Sequence, residues 1–396
     1  MAEEFDAIIV GAGQSGPFLA VRLAEQGQEV ALIDREHLGG TCVNDGCTPS
    51  KTLIASTRAA WTVGVGNLTL RAGQIFINTS ASAAIPDWPG LADVPYLTNT
   101  TMMELEAVPD HLVIASASYV GLEFAQMYAR FGAKVTVIER AKRLAPREDE
   151  DISAATRAIL EAGDVSFLVD SAIEEATATK RGVRISFRSN DRIGSVEGSH
   201  LLVALGRSPN SSDLDLCAAG LDTGARGYMS VDDHLRTKVT GIWAIGDING
   251  RGAFTHTWYN DYEIVANSVI DRRSIANRIP VYGLFIDPPL GRIGMTEAEV
   301  RDSGWAAMIA TYPMANVARA HERGETQGLI KVLVDSSSGR ILGAAVLGIG
   351  GDEVVHSLLQ PMAAGTSYEQ MMQTVHIPPT VSELIPTVLA GLKPLE

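Results

Sequence analysis

The chain has 396 residues, 46% of them hydrophobic, and a formal net charge of −15 at pH 7. That is apolar material for two or three substantial cores, while the acidic balance argues against nucleic acid or an anionic membrane as partner. The longest glycine-rich apolar run, Ile341 to Gly351, is too short to span a bilayer, acidic Glu3-Glu4 stands where a secretory leader would be basic, and three cysteines fit a reducing, cytoplasmic compartment.

In chain order, the first predicted element is an apolar strand, Ala7 to Val10, running into Gly11-Ala12-Gly13-Gln14-Ser15-Gly16. A helix is expected from Pro17 to Gln26, then a strand, Val30 to Ile33, ending in Asp34. Each residue type suits a dinucleotide. Gly11 permits a tight turn, Gly13 lets backbone approach a pyrophosphate, Gly16 allows close helix–strand packing, and Asp34 can accept from a ribose hydroxyl.

Next comes Gly39-Gly40-Thr41-Cys42-Val43-Asn44-Asp45-Gly46-Cys47-Thr48-Pro49-Ser50-Lys51. Thr48 is a good helix cap and Pro49 suits a first helical position. Cys47 therefore stands at a helix start, where the macrodipole favours thiolate and redox chemistry. Two buried thiols or half a metal site are the alternatives. Metal pairs usually need a second pair, and the sequence shows no metal-ligating set. Only a short stretch, Thr62 to Gly73, separates the helix carrying Lys51 from the next predicted strand, Gln74 to Thr79.

The first pattern then repeats. His111 to Ile114 is the strand, Ser116-Ala117-Ser118-Tyr119-Val120-Gly121 takes the glycine positions, and Val135 to Ile138 ends in Glu139. Gly11 to Asp34 and Ser116 to Glu139 span the same interval, and Gly27, Val30 and Arg35 map onto Gly132, Val135 and Arg140. Two dinucleotide folds in one chain follow. Further on, Cys217 reads as a buried packing residue. Leu329 to Val334 and Arg340 to Leu347 read as a hairpin, followed by helices around Asp352–Ala364 and Tyr368–Thr374.

Together these motifs resemble the flavoprotein pyridine nucleotide-disulfide oxidoreductases, the family of glutathione reductase, dihydrolipoamide dehydrogenase and mercuric reductase, and most of all its mercuric-reductase-like branch. The resemblance also includes Ile75-Phe76-Ile77-Asn78-Thr79, Leu122-Glu123-Phe124-Ala125-Gln126, Ala204-Leu205-Gly206-Arg207, Ile242-Trp243-Ala244-Ile245-Gly246-Asp247 and Pro379-Thr380-Val381-Ser382-Glu383. It implies an α/β fold with two Rossmann-like dinucleotide-binding domains and a C-terminal α+β dimerisation domain. The expected boundaries are 1–106 and 210–278 for FAD, 107–209 for the nicotinamide dinucleotide, and 279–396 for the interface of a homodimer. FAD would be held by Gly11, Gly13, Gly16 and Asp34, with contacts at Gly40, Thr41, Thr79, Gly206, Gly246 and Asp247. Cys47 would lie against the flavin as the charge-transfer thiolate and Cys42 would attack substrate. Lys51 would pair with Glu123, and Glu383 would reach the partner's active site. In the second motif Gly121 and Glu139 would serve the nicotinamide dinucleotide; Glu139 favours NADH over NADPH, because it repels a 2′-phosphate.

This sequence departs from the family in three places. Ser116 and Ser118 replace glycines, and serine in a left-handed conformation costs about 1–2 kcal/mol, so weakened nicotinamide binding is expected. The usual acid/base histidine before Pro379 is Pro378, leaving His376 as the candidate substitute. Loss of such help costs roughly a hundred- to ten-thousand-fold. Third, several dozen residues that would supply a helix and a third parallel strand are missing after Trp61, and Ser80 stands where relatives often have glycine. An NAD(P)H-dependent disulfide or thiol oxidoreductase acting on an unidentified small molecule or metal ion is the main expectation. A weakened FAD-binding paralogue with a regulatory role, or a flavin oxidase that bypasses the disulfide, are the alternatives.

Overall fold

The β-branched run ending at Val10 forms the end of a longer strand, β1 (Glu3–Val10), in a computed structural model that describes residues 3–34, 70–266 and 273–396. Helix α1 (Ser15–Glu25) follows and returns the chain to β2 (Val30–Ile33), parallel to β1 with Ala7 opposite Val30. A parallel neighbour requires such a crossover. On its other side β1 pairs with β3 (Leu70–Ile77), which in turn pairs with Ile242–Ala244. Ile9, Leu19, Phe76, Ile245 and Ile264 are buried together between this sheet and its helices.

Two details differ from the sequence reading. Strand β3 starts at Leu70 rather than Gln74, because Glu3 to Phe5 extend β1 and offer Leu70 to Ala72 a ladder to pair with. Gly73 is absorbed inside the strand. Cys217 is exposed. Asp215, at φ 44°, turns the chain so that Leu216 takes the buried place instead. Among the described residues β2 is an edge strand of its sheet.

These elements belong to one of two units, Met1–Ala84 with Asn99–Glu104 and Gly206–Arg278. The other unit is Ile85–Thr98 with Leu105–Leu205 and Ile279–Glu396. Its first part is a parallel sheet in the order Tyr96–Leu97, His200–Val203, His111–Ala115, Lys134–Ile138, Val165–Leu168. Helix α2 (Tyr119–Arg130) and helix α3 (Glu150–Ala162) make the crossovers. The predicted hairpin forms the centre of a separate antiparallel sheet, Leu329–Asp335 against Ile341–Leu347. Nearly every residue of both strands is buried, with Val332, Ala344, Val346 and Leu358 in one core. The expected helix 352–364 is divided at Val355 into Gly351–Val354 and His356–Ala364, and the next one is a single turn, Tyr368–Met371. Among the described residues no helix is long and apolar enough to cross a membrane.

Candidate functional site

Gly11 leaves β1 with φ 103°, where a Cβ would come within 2.3 Å of the Asn78 carbonyl oxygen. A Cβ at Gly16 would meet the Gly11 carbonyl at 2.5 Å, so the helix start lies directly on the turn. Asp34 Oδ2 accepts from the Ala12 N–H at 2.6 Å. The buried Asn78, quoted within a motif but not singled out from sequence, is the hub. Its Nδ2 donates to the Gly11 carbonyl at 3.2 Å, and its Oδ1 lies 2.8 Å from where a Gly246 Cβ would stand. The one signal for it is a polar amide closing the apolar strand Ile75–Ile77.

The Gly246 turn is held from beneath. Asp261, 2% exposed, accepts from the Gly246 N–H at 2.9 Å and from Asn249 Nδ2 at 2.8 Å, and pairs with Arg278. Burial pushes its carboxyl up, against the pull of Arg278. Asp247, also buried, lies 3.0 Å from Arg207 Nε. Thr79 Oγ1 donates to the Asn210 carbonyl at 2.9 Å, and Gly206 stands at φ 104° with its carbonyl accepting from Ala84. Gly13, Gln14, Asn78, Ser80, Gly246 and Asp247 line one cleft. It opens at the carboxyl ends of parallel strands and at the N-terminus of α1, where a dinucleotide pyrophosphate is stabilised by backbone N–H groups. Ser80 has φ 61°, a conformation that glycine adopts without strain. The residues present therefore fit a dinucleotide. Gly40, Thr41, Cys42, Cys47 and Lys51 lie outside the described residues.

The second motif repeats the geometry with altered chemistry. Ser116 adopts φ 93°, the counterpart of Gly11, and a Cβ at Gly121 would meet the Ser116 carbonyl at 2.2 Å. Ser118 does not share that strain. It has φ −88° and precedes α2 in extended conformation, so the left-handed cost applies to Ser116 alone. Glu139 Oε2 accepts from the Ala117 N–H at 2.7 Å, as Asp34 does from Ala12, and Oε1 accepts from Ala141 at 2.8 Å. The carboxylate expected to meet a ribose is thus 9% exposed and bound to backbone on both oxygens.

Glu123, on α2, accepts at Oε1 from the Phe285 N–H at 2.9 Å. His376 Nε2 lies 2.9 Å from Thr374 Oγ1, and no hydrogen bond or ion pair joins it to Glu383 within this chain. Glu383 sits on the short turn Ser382–Leu384, its N–H donating to Thr380 Oγ1 at 3.1 Å. No cluster able to hold a metal ion occurs among the described residues.

Comparison with known proteins agrees with this architecture. The pyridine nucleotide-disulphide oxidoreductase pattern matches residues 5–67 and 57–267, and its dimerisation domain matches 281–389. The probable pyridine nucleotide-disulfide oxidoreductase RclA of Escherichia coli (strain K12) is 32% identical over 98% of this chain and 100% of its own length. Mercuric reductase of Streptomyces lividans is 29% identical over 96% of this chain and 94% of its own. The alignment with RclA runs over 443 positions, more than the 396 residues here, so gaps fall within this chain. Among solved structures, the Cu(II) complex of the HOCl-induced flavoprotein disulfide reductase RclA from Escherichia coli superposes with a TM-score of 0.88. It is 31% identical and covers 98% of this chain and 99% of the other.

Proposed function

Because the chain belongs to the pyridine nucleotide-disulphide oxidoreductases, a family of FAD-dependent oxidoreductases, we propose that it oxidises a reduced nicotinamide dinucleotide, NADH before NADPH. The electron pair goes to the Cys42–Cys47 disulfide and on to a small disulfide or metal-ion acceptor. The observation that carries this reading is the cleft in which Gly13 and Gly246 converge on Asn78. When bound, FAD supplies a carrier that takes a hydride and passes two electrons to a disulfide. This chain's own part would be to hold it: Gly11 would permit the turn, Gly13 would let backbone approach the pyrophosphate, Gly16 would seat the start of α1 on that turn, and Asp34, Thr79, Gly206 and Asp247 would shape the walls.

The overall stoichiometry consumes one NADH, one proton and one acceptor disulfide and releases NAD+ and two thiols. Cys42 is assigned the attack on the acceptor and Cys47 the flavin-side thiol, with Lys51 and Glu123 as candidates for the hydride-transfer step. Glu139 supports NADH, since its negative charge opposes a 2′-phosphate. We assign FAD to 1–106 and 210–278, the nicotinamide dinucleotide to 107–209, and 279–396 to a homodimer interface through which Glu383 serves the partner. A reducing cytoplasm suits a cycling cysteine pair.

The test is an anaerobic visible spectrum before and after one equivalent of NADH or NADPH. The expected result is a flavin that bleaches with NADH and develops a long-wavelength thiolate band, which Cys47→Ser removes. A flavin unchanged by either nucleotide would favour the weakened paralogue, for which Ser116 at φ 93° and the untitratable Pro378 are the specific support. Acceptor reduction that survives Cys42→Ser would favour the oxidase reading.

A further inference from the structure

Helix α2 carries Tyr119, Glu123, Gln126 and Arg130 at spacings of about three to four residues, which puts all four on one face. Its last three members are bonded to one segment of the C-terminal sheet domain. Gln126, 7% exposed, donates through Nε2 to the Asp287 carbonyl at 2.8 Å and accepts through Oε1 from the Asp287 N–H at 2.7 Å. Glu123 accepts from Phe285, and Arg130 meets the Asp287 carboxylate at 2.7 Å. At the N-terminal end, the Tyr119 hydroxyl donates to Glu148 Oε1 at 2.9 Å, beside the Tyr282 hydroxyl at 2.7 Å. The other oxygen of Glu148 accepts from Arg292 Nε and Nη2 at 3.0 and 2.7 Å. Glu148 and Arg292 are 1% and 0% exposed.

We propose that Tyr119, Gln126 and Glu148 are positioning residues for the second dinucleotide motif, so that the C-terminal domain sets how well that motif binds its nucleotide. The inference rests on the reading that the motif takes a nicotinamide dinucleotide. Tyr119 is the first residue of α2, directly after Ser118. The N–H groups of that turn are the ones that face a pyrophosphate in this kind of fold. Two reciprocal amide bonds to the backbone N–H and carbonyl of one residue, Asp287, fix the helix against sliding, and the phenol fixes it against rotation. None of these side chains needs to touch the nucleotide. They act by fixing the place of the backbone that does.

The experiment uses the full-length, FAD-loaded protein and titration calorimetry with NAD+, which binds without reducing the flavin. Tyr119→Phe deletes one oxygen, and Gln126→Ala deletes both bonds to Asp287. Each is expected to raise the Kd for NAD+ on the order of ten-fold, the effect of one lost buried hydrogen bond. The half-saturating NADH concentration for flavin reduction should rise in parallel. The limiting rate of reduction in Tyr119→Phe should stay within about two-fold, since the loss is one of uniform binding. Amide hydrogen exchange over Leu122–Arg130 should quicken in Gln126→Ala. Arg157→Ala, which breaks the surface pair with Glu161 on α3, should change none of these. Wild-type affinity in both variants, or a loss that appears only together with flavin release and a lowered melting temperature, overturns the proposal. If the wild-type protein binds no NAD+, the underlying reading fails first and takes the proposal with it.

Discussion

At the scale of single residues, the two motifs are the same backbone solution reached with different side chains. Ala12 and Ala117 donate to Asp34 and Glu139 in matching geometry, and Gly16 and Gly121 press on the carbonyls of Gly11 and Ser116. What differs is a serine held at φ 93° where its counterpart is a glycine. Ser116→Gly is expected to relieve about 1–2 kcal/mol of strain and to raise the melting temperature. It should also tighten NAD+ binding, read by calorimetry. Ser116→Ala keeps the Cβ and the strain, so an equal gain from that variant would refute the backbone explanation. Ser118→Gly should leave stability unimproved, because Ser118 occupies ordinary extended backbone.

Between elements, the strongest polar feature is the charge cluster that joins the start of α3 to the C-terminal sheet. Arg292 bridges Glu148 and Asp149, and Lys331, 2% exposed, reaches Asp151 at 2.7 Å and Glu297 at 2.8 Å. Charges so far from water are tolerated only when every one is paired, and removing one partner typically costs about 3–5 kcal/mol. Glu148→Leu should therefore lower stability by about that amount, measured by urea denaturation. Burial pushes the carboxyl of Asp149 up, but Arg292 and Lys331 together outweigh it and hold it below its ordinary 3.8. A carboxylate depressed in the folded state contributes stability above its unfolded pKa and loses it as pH falls through the folded value. Unfolding free energy should thus fall with acidification below about pH 4, and Asp149→Asn should flatten that slope. An unchanged slope in the variant would assign the acid sensitivity elsewhere.

For the molecule as a whole, assembly is the open quantity. Val375 and Ile377 are 98% and 80% exposed in the single chain, flanking His376 and next to Pro378 and Pro379. They lie in the part that matches a dimerisation domain. Large apolar side chains this exposed are what a partner subunit covers. Light scattering is expected to give the mass of a dimer, and Val375→Asp with Ile377→Asp a monomer. If Glu383 acts across that interface, the monomeric variant should keep its flavin and its reduction by NADH while losing acceptor turnover. A wild-type monomer with full turnover would remove the assignment of Glu383.

Local spacing alone carried the two βαβ units and the C-terminal hairpin. Each is a pattern of neighbours in the chain, where strand runs, turn glycines and a terminal acid follow one another at fixed intervals. The serine substitutions and the proline at 378 were legible for the same reason. Features made by distant segments were not. Asn78 is a site residue only because Gly11 and Gly246 arrive on either side of it. Cys217 is exposed because Asp215 turns the chain. Strand β3 begins at Leu70 because β1 has a free ladder there. Glu148 gives no sign in sequence of the two tyrosines and the arginine that enclose it, since its partners lie as far away as Arg292. A buried carboxylate has to find cations and hydroxyls wherever the packed sheet and helices bring them, and only the tertiary structure sets that.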